Sequence, residues 1–267
     1  MKLTMLGTGY GTATKCYNTC FAITNENGEH FLVDGGGGNQ ILCQLEKAEI
    51  NWKDIQHIFI THKHIDHLMG IIWLVRLITQ NMRNGKYTKE AFIYGHAEVI
   101  EIIRNMAHTL LVEKNLKYLD TQLKLVIVED GQEMEIIGKK VTFFDIQSTK
   151  AKQFGFSMML NDNDKLTCCG DEPYRVCEEK YARNSKWLLH EAFCLDGQAE
   201  IFHPYEKKHS TVKDACEQAE TLNVANLVLY HTEDKNIENR KELYGEEGRA
   251  YYSRNLWIPY DLEVIEL

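Results

Sequence analysis

The sequence predicts a layered α/β protein in which helices cover the faces of β-sheet. Three observations carry that prediction. Short β-type runs recur from end to end, segments with helical spacing are interleaved among them, and no linker interrupts the series. The 267 residues contain only three prolines (Pro173, Pro204 and Pro259) and no low-complexity tract or solenoid repeat. Residues 1–267 are therefore expected to form one domain, a length that a single hydrophobic core can serve.

Lys2–Leu6, Cys20–Thr24 and His30–Val33 are short strands, and Asn25-Glu-Asn-Gly28 is a hairpin turn between the last two. Asn39–Ala48 sets Ile41, Leu42, Leu45 and Ala48 at helical spacing. Ile55–Thr61 reads as a buried strand and Leu68–Met82 as a strongly apolar helix. Further strands are predicted over Phe92–Tyr94, Leu123–Val128, Met134–Ile137, Val141–Ile146, Phe156–Leu160 and Leu166–Cys169. Helices are predicted over Ala97–His108 and Glu172–Ala182. Trp187–Leu189 is another strand, Ser210–Leu222 a helix opened by a Ser/Thr cap, and Asn226–Tyr230 a last core strand. A helix over Ile237–Tyr252 and an end strand at Leu262–Ile265 complete the series.

Charge bounds the partners. Thirty Lys+Arg against 39 Asp+Glu give a net charge of −9, a repulsive average field for a long polyanion. Nucleic-acid contact must then come from a local patch or a metal. No apolar run reaches the ~18 residues of a membrane span, so no membrane association is expected. Met1–Gly7 breaks into glycines before a signal-peptide core could form. The eight cysteines follow no zinc-finger spacing, and without a secretion signal they are expected to be the reduced thiols of a cytoplasmic protein.

The decisive stretch is Thr61-His62-Lys63-His64-Ile65-Asp66-His67, which follows the apolar Ile58-Phe59-Ile60 directly. Three imidazoles and a carboxylate fall within six residues, with His62 and His64 facing one way on extended chain. Such donors suit zinc, manganese or iron. Placed between an apolar strand and an apolar helix, they would be costly without a metal.

His62-Lys-His64-Ile-Asp66-His67 resembles the H-x-H-x-D-H signature of the metallo-β-lactamase superfamily, and its flanks resemble the ribonuclease Z-like phosphodiesterase branch. Those flanks are Leu6-Gly7-Thr8-Gly9, Asn18-Thr19, Leu32-Val33-Asp34-Gly35-Gly36 and Ile93-Tyr94-Gly95. Phe154-Gly155-Phe156, Cys169-Gly170-Asp171, Leu189-His190-Glu191-Ala192, His209-Ser210-Thr211 and Leu227-Val228-Leu229-Tyr230-His231 follow in the family's order. The resemblance implies a four-layer αββα sandwich, two mixed sheets face to face with helices outside. It implies Zn²⁺, one or two ions per chain, with Mn²⁺ or Fe as alternatives. His62 and His64 would hold the first metal; Asp66, His67 and His231 the second; Asp171 would bridge them. His209 would protonate the leaving oxygen, Asp66 would steer the nucleophile, and Glu191 would orient His209. Asp34 reads as a buried acceptor that orients a ligand histidine. Pairing of two copies as a homodimer is also in keeping with the family.

The chain departs from the family in two places. A further first-site histidine is expected near Thr149, or at Ser148 or Gln147 with a longer loop, and none of the three is histidine. Only 22 positions separate Thr149 from Asp171, room for a hairpin turning at Asn161-Asp-Asn-Asp164 but not for a transfer-RNA-gripping arm. The reading is a metal-dependent hydrolase that uses a metal-bound hydroxide on small phosphodiesters or short nucleic acid. The rivals are the same scaffold acting on another ester class, such as a lactone or thioester, and a degenerate metal-binding protein without catalysis. Lys150 and Lys152, beside the expected site, are either solvated lysines or cations that neutralise a phosphate.

Overall fold

Runs of Leu, Ile, Phe and Val become strands when the faces they present can be buried on both sides. The computed structural model describes residues 1–267. Its first half runs β1 (Lys2–Gly7), β2 (Cys20–Thr24), β3 (His30–Val33), α1 (Gln40–Lys47), β4 (Ile55–Phe59), α2 (Ile65–Arg83), β5 (Ala91–Gly95), α3 (Ala97–Leu110), α4 (Glu113–Leu116) and β6 (Leu123–Ile127). The second half opens with β7 (Glu133–Ile136), β8 (Lys139–Asp145), β9 (Phe154–Met159), β10 (Lys165–Cys168) and α5 (Glu179–Ala182). It continues through β11 (Trp187–Glu191), α6 (Ala199–Phe202), α7 (Val212–Thr221), β12 (Asn226–Tyr230), α8 (Arg240–Arg249), β13 (Asn255–Trp257) and β14 (Val264–Glu266).

Two seven-stranded mixed sheets result, in the orders β14-β1-β2-β3-β4-β5-β6 and β13-β12-β11-β10-β9-β8-β7. Strands β3 to β6 are parallel in the first, and β10 to β13 in the second. The inner faces meet in a cluster of 23 buried residues. Phe31 meets Phe156 edge-on at 5.4 Å, and Phe59 meets Phe143 at 4.8 Å between ring centroids. The outer faces carry helices: α1, α2 and α3 over the first sheet, α7 and α8 over the second. This is the αββα sandwich that the resemblance implied. All eight cysteines are free, and no helix is long and apolar enough to cross a membrane.

Several elements differ from expectation. Helix α2 begins at Ile65, because polar Asp66 and His67 belong to its first turn, and β4 stops at Phe59 rather than Thr61. The helix expected over Glu172–Ala182 shrinks to a 3₁₀ turn at Val176–Glu178 and the single turn of α5. Pro173 pushes Glu172 out of helical geometry, and Glu172 and Arg175 are engaged in holding residues 148 and 149. The helix expected over Ile237–Tyr252 keeps only Arg240–Arg249. β13, three residues long, carried no signal.

That 3₁₀ turn contains a buried acid with a measurable consequence. Glu178 is fully buried; its Oε1 accepts the Arg175 N–H at 2.8 Å, while Oε2 has no partner. Burial pushes its carboxyl up to about 8 from 4.5. The folded state therefore keeps this proton where the unfolded chain has released it. The stability Glu178 allows is present below pH 4.5 and is lost as pH rises through about 8. Glu178→Gln keeps the acceptor and removes the titration. Its Tm should exceed that of the wild type by a few °C (about 1 kcal/mol) at pH 8 and converge with it near pH 5. An identical Tm difference at both pH values would contradict the assignment.

Candidate metal centre

The centre lies where the carboxyl ends of the parallel strands meet. Beyond β3, Asp34 adopts a left-handed conformation (φ 59°) and receives the segment that leaves β4. Thr61 donates to Asp34 Oδ1 through its N–H and to Oδ2 through its hydroxyl, both at 2.8 Å. His67 Nδ1 lies 2.7 Å from Asp34 Oδ2, which fixes the tautomer that presents Nε2. Asp34 thus has the orienting place expected for it. The first turn of α2 packs directly on the Gly35–Gly36 backbone: Gly35 N–H donates to His67 O, and Gly70 N–H to Gly36 O, each at 2.8 Å. A Cβ on Gly70 would sit 1.8 Å from Gly35 O, so only glycine permits this approach. It brings Asp66 and His67 to the strand ends.

His62 and His64 stand on extended chain between β4 and α2, their rings 4.4 Å apart and edge-to-face. Asp171, just beyond β10, directs Oδ2 to within 3.6 Å of His62 Nε2 and 3.5 Å of His67 Nε2 and of His231 Nε2. Its other oxygen accepts a hydrogen bond from buried Gln153 at 2.7 Å. His231 leaves β12 in a left-handed conformation (φ 56°), its Nε2 3.5 Å from Asp66 Oδ2. Donor atoms converge in three groups, each within 4.8 Å: His62/His64/Asp171, Asp66/His67/His231 and Glu191/His209/His231.

The third group joins His231, an expected metal ligand, to the expected proton donor. His209 Nδ1 lies 3.6 Å from Glu191 Oε2, and its ring lies 5.0 Å from that of His231. Glu191, fully buried at the end of β11, holds the next residue by accepting the Ser210 N–H. Thr211 caps α7 through a reciprocal pair with Asp214, which anchors the turn that carries His209.

Burial lowers His62 well below the usual imidazole range, opposed by Asp171. Asp171 and Asp66, although buried, are held well below the usual carboxylate range, Asp171 chiefly by His62 and Asp66 chiefly by His67. Burial also works against the proton on His209, but the carboxylate of Glu191, 3.6 Å from Nδ1, outweighs it and raises His209. These residues fit a divalent cation. His67 Nε2 and His231 Nε2 are buried without a hydrogen-bond partner, yet each lies 3.5 Å from Asp171 Oδ2. An orphaned imidazole nitrogen facing a carboxylate oxygen is a metal-donor arrangement.

The vacancy at the expected first-site histidine is real. Gln147 and Thr149 are exposed, Ser148 donates to Glu172 Oε1 at 2.5 Å, and Arg175 donates to Thr149 Oγ1 at 3.3 Å. None joins a donor group. Asp145 is turned to Lys152, 3.9 Å away. Gln153, the buried partner of Asp171, is the residue that sequence reasoning missed; a glutamine in a loop carries no ligand signal. The turn at Asn161–Asp164 closes β9 onto β10, as the short spacing required.

The chain is similar to known proteins along its whole length. A family model described as Anti-Pycsar protein Apyc1 matches residues 1–251. A ribonuclease Z of Thermococcus sibiricus is 26% identical, covering 100% of this chain and 96% of that protein. The crystal structure of the metallo-β-lactamase fold protein YhfI from Bacillus subtilis superimposes with a TM-score of 0.81 at 17% identity, covering 100% of this chain and 99% of that one. That of the short form of human tRNase Z gives 0.76 at 22% identity, with coverage of 100% and 99%.

Proposed function

The chain belongs to the anti-Pycsar protein Apyc1 family, in the ribonuclease Z-like branch of the metallo-β-lactamase superfamily, and from that premise we propose that this metal-dependent phosphodiesterase acts on small phosphodiesters such as a cyclic nucleotide. The observation that carries the chemistry is the convergence of three imidazole Nε2 atoms on Asp171 Oδ2. A bound cation supplies charge to a phosphoryl oxygen and lowers the pKa of water from 15.7 toward ~7. His62, His64 and Asp171 would hold one ion; Asp66, His67, His231 and the same Asp171 would hold another. Imidazole and carboxylate donors suit Zn²⁺, with Mn²⁺ or Fe as alternatives. Asp34 orients His67. Asp66 orients the attacking water as an acceptor. His209, with Glu191 on its Nδ1 side, directs Nε2 outward to give a proton to the departing oxygen.

Occupancy should be unequal, because the second ion has four protein donors and the first has three, with no imidazole at residues 147–149. After mild chelation, elemental analysis should find close to one metal per chain. Two equally retained ions would mean that another group completes the first site.

Substrate size is argued from the β9–β10 hairpin. It turns within Asn161–Asp164 and offers no arm to a folded RNA, and the net charge of −9 gives no compensating field. A cyclic nucleotide should therefore be turned over with a higher kcat/KM than a precursor transfer RNA. Efficient removal of the RNA's 3′ trailer, with no turnover of the small diester, would overturn the proposal.

A further inference from the structure

The loop between β8 and β9 is built to send one lysine across the centre. Gln147 takes a left-handed conformation (φ 57°), and Ser148 Oγ accepts the N–H groups of Lys150 at 3.1 Å and Ala151 at 3.2 Å. The same hydroxyl donates to buried Glu172. This turn sends Thr149 outward to Arg175 and places Lys150 Nζ 3.4 Å from His209 Nε2. Lys152, two residues on, faces elsewhere: it pairs with Asp145 and lies 5.4 Å over the Phe154 ring.

Lys150 forms no ion pair, although Asp and Glu outnumber Lys and Arg in the chain by 39 to 30. Its ammonium, on an exposed side chain, lies beside His209 Nε2, the ring nitrogen away from Glu191. Lys150 Nζ can only donate, so in the resting chain His209 Nε2 is its acceptor. Once His209 carries the proton it gives up, both become donors with no acceptor between them. An anion with at least two acceptor oxygens satisfies both. The loop that lacks a histidine at residues 147–149 thus provides a positive charge at the next residue.

We propose that Lys150 binds a non-bridging oxygen of the scissile phosphate, placing on the His209 side positive charge that the three-donor first site supplies only weakly. The proposal rests on the phosphodiesterase reading and names the residue that grips the substrate's charged group. Lysine suits the task as a compact point charge.

The test uses the full metal-loaded chain as wild type, Lys150→Met, Lys150→Arg and Lys152→Met. It measures kcat/KM on a cyclic nucleotide, calorimetric affinity for inorganic phosphate, and metal content. Lys150→Met should lose about 10²-fold in kcat/KM, as expected for removal of one transition-state donor. It should bind phosphate about 10-fold more weakly, losing one charge-assisted contact, and keep its metal. Lys150→Arg should recover most of both losses, and Lys152→Met should match wild type. An active wild type with an indifferent Lys150→Met overturns the proposal alone, as does a loss matched by loss of metal or by Lys152→Met. A metal-loaded wild type that hydrolyses no phosphodiester overturns the functional reading instead, and phosphate affinity then still reports on Lys150.

Discussion

Asp66→Ala should reduce phosphodiester turnover by about 10³-fold or more and release bound metal with it. Asp66 Oδ2 lies 3.4 Å from His67 Nε2 and 3.5 Å from His231 Nε2, so it is one corner of the second donor group. Its removal leaves two imidazoles and the shared Asp171 to hold the ion, and leaves the attacking water without its acceptor. Losing several kcal/mol of charge stabilisation corresponds to about three orders of magnitude in rate. Elemental analysis beside kinetics separates the two effects. Full activity with full metal would remove Asp66 from the centre.

His209→Ala should behave differently, and the leaving group shows how. A general acid contributes where the departing oxygen is basic, typically ~10²–10⁴-fold. The variant should lose that much on a diester with an alkyl leaving group, and far less on bis(p-nitrophenyl) phosphate, whose phenolate departs without help. It should keep its metal. The sign of the pH dependence follows from Glu191, which raises His209 against the effect of burial. The proton is needed, so wild-type turnover should fall as pH rises through that raised value. This alkaline limb should disappear in His209→Ala. Equal losses on both leaving groups would mean that His209 acts by holding the site together.

The part of the centre written in consecutive residues was legible in the sequence. His62, His64, Asp66 and His67 sit where a buried strand gives way to a helix, a place where polar donors are costly unless something uses them. Asp171 and His231 were not legible in that way. Each is a single polar residue beyond a strand, indistinguishable from a turn residue until the resemblance assigned it, and the structure brings both to the same point. Asp34 was read as a buried acceptor for a ligand histidine, and the structure sets it against Thr61 and His67, where Gly70 permits the close approach of α2. The aim of Lys150 was invisible because it depends on the Ser148–Glu172 tether, a contact across 24 residues. The same tether accounts for the largest misreading of the fold. The apolar and charged residues after Pro173 look helical, but they are held as a loop against residues 148 and 149. Sheet strands were read more faithfully, because the two-sided burial of β2, β3 and β12 leaves an unbroken apolar run.

Turnover of a cyclic nucleotide, measured as metal is titrated back into chelator-stripped protein, tests the central claim most directly. The account predicts no detectable turnover without metal, and a rate that rises in proportion to bound metal until the donor groups around Asp171 are filled. Unchanged turnover in the metal-free protein would contradict it, as would full metal occupancy with no phosphodiester hydrolysed.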